Sequence, residues 1–589
     1  MARVFSRQRT APSRGDAVRS EGHAGQSGRS LRVTYPGTVP LPAPRRGTTL
    51  LLALIGGLLT DVGFPGLGWW PATFVGIALL FLALARDSAR WNALVGLTFG
   101  LAFFVPHITW AGEAVGLVPW IGLSVVEAAF VSLTGAAWAW ARRGAVIWHR
   151  ATLQVPVFAT LWVGAEEARS IAPFGGFPWG RLAFSQADSP LARWAWVGGA
   201  PLVSGTVVVV GVVLALAVVA LRRIDIGTAS GHVLLGTVIV GSGWVLPLDT
   251  AAQAGRLTVA AVQGNVPNRG LDSFDQQREV LDNHVAGTLA LVGRPELANG
   301  VDIVLWPENG SDIDPRADAQ AGAEITQAAR AVGAPILVGT LEYPESGGRL
   351  NVSLMWDPVL GAVDSYAKQH PAPFAEYIPM RSIARQFSDA VDLVRTDMLP
   401  GTEVGVVTLA SPRLGRDVLL GDVICFEVAY DDLVRDAVQA GAEMLVVQTN
   451  NATFGLTDES TQQLAMSRLR AIEHGRATVQ ISTVGVSGVI TPSGLVKHPT
   501  GLFTAEQIIS QVPLRTELTP ATRVGDALAW VIRALAVICT LAGMAGAAKI
   551  RRADRAPAVS GTTSRPPVQR ERVTAGRTPT AAARGRRPS

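Results

Sequence analysis

Gly421-Asp422-Val423-Ile424-Cys425-Phe426-Glu427 closes an apolar run that begins at Val418. A short run rich in β-branched residues and ending in reactive side chains reads as a buried strand whose last residues stand at the end of a sheet. Outward from it, similar runs recur at Leu257–Val262, Val301–Trp306, Ala334–Leu341, Asn351–Trp356, Val404–Leu409, Glu443–Gln448 and Thr478–Val484. Helical stretches separate them, among them one from about Thr461 to Arg476. Strand and helix alternation of this kind predicts an α/β domain over residues 250–522, its sheets covered by helices.

Two other strand ends in this region carry reactive groups. Leu305-Trp306-Pro307-Glu308-Asn309-Gly310 places a proline after a strand, which stops the ladder and leaves Glu308 at the sheet's end. Tyr366-Ala367-Lys368-Gln369-His370-Pro371 runs on to Pro373-Phe374-Ala375-Glu376-Tyr377-Ile378-Pro379. A lone Glu or Lys at a strand end is usually a solvated loop residue, and a lone Cys after Val-Ile is usually core. A carboxylate, an ammonium and a thiol at strand ends of one α/β domain are together the parts of acyl transfer. The chain has 2 Cys; Cys539 lies in the apolar run Leu535–Leu541, where a thiol packs as a small hydrophobe, so no disulfide is expected and Cys425 is free. His284 and His370 invite a Cys–His reading, but no metal-ligand spacing accompanies them and they read as ordinary polar residues. No glycine-rich phosphate loop, metal site or cofactor is expected.

The rest of the chain has a different character. Of 589 residues, 48% are hydrophobic and only 16% charged, where a soluble protein carries about 25% charge. Apolar segments stand near 48–60, 71–85, 93–109, 118–141, 151–168, 200–221, 231–248 and 526–548. Arg86 and Arg90 follow the second, Arg142, Arg143 and Arg150 the fourth, Arg222 and Arg223 the sixth, and Arg551 and Arg552 the eighth, while the loops after the first and third have no Lys or Arg. By the positive-inside rule this alternation predicts about eight membrane spans. Both termini are then cytoplasmic and the 250–522 domain extracytoplasmic; Arg169, Arg181 and Arg193 after the fifth segment are the exception. The organisation expected is a basic arm at 1–47, a seven-span bundle at 48–249, the α/β domain, a last span at 523–550 and a basic tail at 551–589. The arms are rich in Arg, Ser, Gly, Pro and Thr and read as disordered. The first has no apolar run close behind a charged start, so it is not read as a signal peptide. The net charge of +5 sits in these arms and at the edges of apolar runs, which suits a membrane surface and not nucleic acid.

On these residues the domain resembles the nitrilase, or carbon–nitrogen hydrolase, superfamily, whose Glu–Lys–Cys triad maps onto Glu308, Lys368 and Cys425. Seven spans, such a domain and one last span resemble the layout of the bacterial apolipoprotein N-acyltransferases. The likeness runs from about residue 48 to 548. It takes in Phe64-Pro65 with Gly68-Trp69-Trp70-Pro71, and Glu166 and Arg169 ahead of Gly176-Phe177-Pro178-Trp179. It continues through Val262-Gln263-Gly264-Asn265, Trp306-Pro307-Glu308, Pro373-Phe374, Glu376-Tyr377-Ile378-Pro379 and Arg468-Leu469-Arg470-Ala471-Ile472-Glu473. The resemblance places Arg181 and Arg193 in an extracytoplasmic loop, and implies an αββα sandwich for the domain. It further implies a thioester on Cys425, a phospholipid acyl donor, and as acceptor the α-amine of the N-terminal diacylglyceryl-cysteine of an apolipoprotein. Glu376, Phe426 and Glu427 flank the triad as candidates for orienting it or binding substrate. Four positions depart from the family's pattern: Ala375 stands for a Gly, Phe426 for a Tyr, and Asn451 and Thr453 for an Asp and a Trp, the last removing an aromatic surface suited to an acyl chain. The other readings open at this point are a membrane-tethered amidase with the same triad, and a non-catalytic paralogue that binds lipoproteins.

Overall fold

The computed structural model of the chain describes residues 44–143, 151–266 and 277–555. The two basic arms, apart from residues 44–47 and 551–555, and Arg150 lie outside them.

The first half is helical: α1 (Arg46–Val62), α2 (Pro71–Ala83), α3 (Ala89–His107), α4 (Thr109–Val115), α5 (Leu117–Ala141), α6 (Ala151–Arg169), α7 (Ala195–Arg222) and α8 (Ile226–Val245). Proline at its first position starts α2, and Ser88 caps α3 by accepting from the Trp91 N–H. The helices pack through small residues that let backbones approach. A Cβ on Gly57 of α1 would lie 2.4 Å from the Phe99 carbonyl oxygen of α3, so only glycine permits this crossing.

The α/β domain follows. Its strands are β1 (Arg256–Gln263), β2 (Ile303–Leu305), β3 (Ile336–Glu342), β4 (Leu350–Asp357), β5 (Gly361–Ala367), β6 (Val406–Ser411), β7 (Arg416–Ile424), β8 (Met444–Thr449), β9 (Thr478–Ser482), β10 (Gly488–Ile490), β11 (Val496–Lys497) and β12 (Glu506–Pro513). They form two six-stranded sheets in the orders β12-β1-β2-β3-β4-β5 and β11-β10-β9-β8-β7-β6. Its helices are α9 (Gln277–Leu289), α10 (Ala319–Val332), the single turn α11 (Arg381–Ala384), α12 (Asp431–Gln439), α13 (Glu459–His474) and α14 (Pro520–Val524), and α15 (Ala527–Arg555) ends the described chain. Period-two alternation divides the strands between two layers. Val259, Ala261, Ile303 and Leu305 join Val418, Leu420, Val446 and Val479 between the sheets. Ala260, Val262 and Val304 face outward onto Leu281 of α9 and Ile325 and Ala328 of α10. With α12 and α13 against the second sheet, the layers are helix, sheet, sheet, helix: the αββα sandwich expected.

Eight helices, α1, α2, α3, α5, α6, α7, α8 and α15, stand where the eight apolar segments were read, α2 being short at Pro71–Ala83. Among the described residues, five stretches are long and apolar enough to cross a membrane: α3, α5, Pro190–Arg222 with α7, α8, and Ala527–Gly546 within α15. The segment read at 200–221 begins earlier, at Ala195, and is broken at Gly198 and Gly199, where φ is −148° and 66°. The break has a cause: a Cβ on Gly199 would lie 2.3 Å from the Glu473 carboxylate at the end of α13.

The loop arginines fall into two groups by their partners. Arg142 donates to the Leu84 and Arg86 carbonyls at 2.8 and 2.7 Å, Arg143 pairs with Asp87 at 2.7 Å, and Arg86 donates to the Pro44 carbonyl at 2.5 Å. The chain's entry and the ends of α2 and α5 therefore share one end of the bundle. Arg169, Arg181 and Arg193 are engaged elsewhere. Arg169 pairs with Glu127 at 3.2 Å and donates to the Phe177 and Trp179 carbonyls; Arg181 bridges Glu167 of α6 and Asp431 of α12; Arg193 donates to the Leu246 carbonyl at 3.2 Å. Arg181 thus ties the loop between α6 and α7 to the α/β domain, while Arg169 and Arg193 brace that loop within the bundle.

Candidate active site

β7 delivers Cys425 to the end of the second sheet, where the chain turns through a 3-10 segment (Cys425–Ala429) into α12. Cys425 has φ 56°, a conformation that non-glycine residues seldom adopt and that persists only when neighbours enforce it. Glu427, fully buried, does the enforcing. Its Oε2 accepts from the Ile424 N–H at 2.9 Å; its Oε1 accepts from the Gln369 and His370 N–H groups at 2.7 and 3.2 Å; and the Tyr366 hydroxyl donates to both oxygens. One carboxylate thus clamps the turn at Cys425 to the segment after β5 that carries Lys368. Burial raises the Glu427 pKa, against the pull of these hydrogen bonds.

Glu308 follows β2 and Pro307 and is 4% exposed. Its Oε1 accepts from Asn351 Nδ2 at 2.7 Å and from Lys368 Nζ at 3.2 Å, and its Oε2 accepts from the Asn450 N–H at 2.8 Å. Lys368, 1% exposed, also donates to Glu376 Oε1 at 2.8 Å, while Glu376 Oε2 accepts from the Ala372 N–H at 2.6 Å. Burial works against the ammonium, but Glu308, Glu376 and the Cys425 sulfur overcome it, and the Lys368 pKa stands well above the ordinary lysine value. Burial pushes the Cys425 thiol up, with Glu308 adding to the rise and Lys368 opposing it. At rest the site therefore holds a thiol beside an ammonium.

The residues expected from the sequence come together here: Glu308, Lys368 and Glu376 by hydrogen bonds, Cys425 by its electrostatic coupling to Glu308 and Lys368, and Glu427 as the clamp. Phe426 has another place. It stacks on Trp179 and Phe177 of the bundle's loop at centroid distances of 5.8 and 5.7 Å, and meets Tyr430 edge-on at 5.5 Å. Trp110 adjoins Trp179 at 5.0 Å and Phe454 at 5.3 Å. Aromatic rings from the bundle thus pack beside Phe426 and Phe454, next to Thr453. His370 lies 4.7 Å from the Tyr430 ring, with burial lowering its pKa, and His284 is buried against Trp306 and accepts from the Gly264 N–H. Neither serves as a partner for Cys425. Among the described residues, no group of His, Cys, Asp or Glu is arranged to hold a metal.

Sequence reasoning missed Asn351, Thr449, Glu459 and Gln463. Thr449 Oγ1 lies 3.3 Å and Gln463 Nε2 3.6 Å from Cys425 Sγ. Gln463 and Glu459 sit on the buried face of an ordinary polar helix, where only the fold discloses what they touch. The docking of the bundle's loop was equally hidden. Trp179 and Trp110 both donate to Gln462 Oε1, at 2.6 and 3.2 Å, the Tyr430 hydroxyl donates to the Gly176 carbonyl at 3.0 Å, and Arg470 joins Asp431 to Glu473.

Residues 56–213 match the family described as apolipoprotein N-acyltransferase N-terminal domain, and residues 258–519 match carbon-nitrogen hydrolase. A relative from Mycolicibacterium smegmatis named apolipoprotein N-acyltransferase is 39% identical over 526 residues, covering 84% of each chain. One of the same name from Geobacter metallireducens is 28% identical over 526 residues, covering 85% of this chain and 96% of its own. Among solved structures, an amidase from Nesterenkonia sp. aligns with a TM-score of 0.33 at 16% identity, over 48% of this chain and 97% of its own. A helical bundle matching one family description, joined to a domain matching the other, and a 39% identical relative spanning both, lead to one conclusion: the chain belongs to the apolipoprotein N-acyltransferase family, as a membrane protein whose second half is a carbon–nitrogen hydrolase domain.

Proposed function

We propose that this chain moves an acyl chain from a membrane phospholipid to the α-amine of the N-terminal diacylglyceryl-cysteine of lipoproteins, through a thioester on Cys425. The observation that carries the reading is Lys368. Its ammonium is buried, hydrogen-bonded to Glu308 and Glu376, and electrostatically coupled to the Cys425 sulfur.

In the first half-reaction Cys425 Sγ attacks the donor's ester carbonyl while Glu308 takes the thiol proton. Lys368 stabilises the sulfur's negative charge and then the oxyanion of the tetrahedral intermediate. The ester C–O bond breaks, the proton on Glu308 passes to the departing alkoxide, and a lysophospholipid leaves. In the second half-reaction the acceptor's amine attacks the thioester, Glu308 takes a proton from nitrogen, and the C–S bond breaks to return the thiol and an amide.

The bundle gives physical sense to this. Both substrates are anchored in a bilayer, and an outward-facing domain fixed to eight spans would meet them by diffusion in two dimensions. Stacking of Trp110, Phe177, Trp179 and Phe426 fixes the bundle's loop beside the residue that follows Cys425. A membrane-tethered amidase would use the same three residues but has no need of a bundle whose loop stacks on the residue after the nucleophile.

The test is discharge of the acyl-enzyme. A diacylglyceryl-cysteine peptide with a free amine should discharge it quickly, and the same peptide with an acetylated amine should not. Discharge as fast in peptide-free buffer would make the chain a hydrolase and sink the proposal.

A further inference from the structure

A chain of buried polar side chains, none of which the steps above use, ends on the Cys425 sulfur. It begins with Glu459 at the start of α13, 2% exposed. Asn451 Nδ2 donates to Glu459 Oε2 at 2.6 Å and to Gln463 Oε1 at 3.1 Å. Gln463 Oε1 also accepts from the Thr449 hydroxyl at 2.8 Å, and Gln463 Nε2 is then turned to Cys425 Sγ at 3.6 Å. On the far side, Asn451 Oδ1 accepts from the Ser482 hydroxyl at 2.6 Å.

The direction of this chain matters because an amide has two unlike ends. With Nε2 toward the sulfur, Gln463 donates a hydrogen bond that favours thiolate; with Oε1 toward it, Gln463 opposes thiolate. Ser482 and Thr449 have hydroxyls that rotate to suit either arrangement. Glu459 Oε2 accepts from Asn451 Nδ2, and above its raised pKa of about 8, where the thiol is titrated, Glu459 is a carboxylate that only accepts, so it is the member that sets the direction. Nor can Asn451 move aside: a Cβ on Gly485 would lie 2.1 Å from Asn451 Oδ1, so the loop is already as close as glycine allows. Asn451 stands where the resemblance expects an Asp, and an Asp would set a second carboxylate against Glu459.

We propose that Glu459 is a positioning residue for the nucleophile: by accepting from Asn451 it orients the Asn451 amide, which orients the Gln463 amide so that an N–H faces Cys425 Sγ. This rests on the reading of Cys425 as the nucleophile.

The sign of one measurement separates this role from a charge effect. Glu459's own charge holds the Cys425 thiol up, so a residue acting by charge alone would release the thiol downward when removed. A residue that keeps a donor on the sulfur would, when removed, let the thiol pKa rise. The experiment measures the pH dependence of Cys425 alkylation by iodoacetamide, and acyl-enzyme formation from phospholipid vesicles. It uses the full-length protein carrying Cys539→Ser. Glu459→Met should shift the alkylation profile to higher pH and slow acylation about tenfold. Glu459→Gln, whose amide oxygen can still accept from Asn451, should restore both. Asn451→Asp, which turns an acceptor toward Gln463, should shift the profile upward even if Glu459→Met fails to fold. An unmoved or downward-shifted profile, or a Glu459→Gln no better than Glu459→Met, overturns the proposal. Cys425→Ser separates the two claims. If it still transfers acyl chains, the nucleophile reading falls. If it is inert while Glu459→Met matches the parent, only the positioning role falls.

Discussion

Lys368 carries its charge in a place almost closed to water, and it does so because two carboxylates and a thiol converge on it. Desolvation alone would neutralise it; the neighbours keep it an ammonium, which is the form that can stabilise an oxyanion. Glu308 is held from three sides, by Asn351, Lys368 and the Asn450 N–H, which leaves it little freedom to rotate away from the position our proposal gives it. Replacing Glu308 by Gln removes the base and keeps the shape, and Lys368→Met removes the cation. Each should reduce acyl transfer by a factor on the order of 100 or more, measured as turnover on vesicles, and normal rates in either would show the roles to be misassigned. Glu308 and Cys425 were legible because each closes an apolar run, and Lys368 through the Glu–Lys–Cys triad of the family resemblance. Glu427 was legible only as a flanking carboxylate. Its function as a clamp depends on β5, a polar edge strand whose sequence Gly361–Ala367 has no apolar alternation to announce it.

At the scale of elements, the sheet ends nearest the site hold several carboxyls with little access to water. Burial pushes Asp422 at the end of β7 and Asp312 after β2 up to about 7, and Glu459 at the start of α13 to about 8, with the charge of Glu308 adding to the last two. Glu427 is raised as well. The folded state therefore holds protons that the unfolded chain, with ordinary carboxyls, has already lost. Stability falls as pH rises through this range and flattens above about 8, by as much as about 1.4 kcal/mol per pH unit for each carboxyl still protonated. His284, His370 and His474 are lowered by burial and pull the other way, but only below their ordinary value of 6.5. The melting temperature in detergent should therefore drop by a few degrees between pH 6.5 and 8, and Glu459→Gln should shrink the drop. A rise over that interval would contradict the burial of these acids. The strands themselves were readable from β-branched runs, with the expected Val301–Trp306 shortened to Ile303–Leu305 by the proline that follows. β5, β10, β11 and β12 were not readable, because short or half-exposed strands take their pairing from neighbours and not from pattern.

At the scale of the molecule, a helical bundle and a soluble sandwich are joined by polar contacts that no periodicity could foretell. Arg181, Asp431, Arg470 and Glu473 run from the loop after α6 into α12 and α13, and Gln462 receives both Trp110 and Trp179. Arg86, Arg142 and Arg143 gather at the Pro44 end of the bundle. Arg169, Arg181 and Arg193, the exception in that pattern, are taken up by bonds to Glu127, Glu167, Asp431 and the Leu246 carbonyl. Eight spans with both termini cytoplasmic remain our proposal, and reporter fusions test it. Fusions after Arg143 and Arg223 should read cytoplasmic and one near Gly300 external; a cytoplasmic signal at Gly300 would overturn the topology.

The central claim is that Cys425 carries the acyl group, and intact mass analysis of the protein after incubation with phospholipid vesicles and no acceptor tests it most directly. The parent should gain one acyl mass that maps to Cys425 and is removed by neutral hydroxylamine. Cys539→Ser should gain the same mass, and Cys425→Ser should gain none. An adduct on Cys425→Ser, or no adduct on a parent that still acylates lipoprotein peptides, would contradict the account.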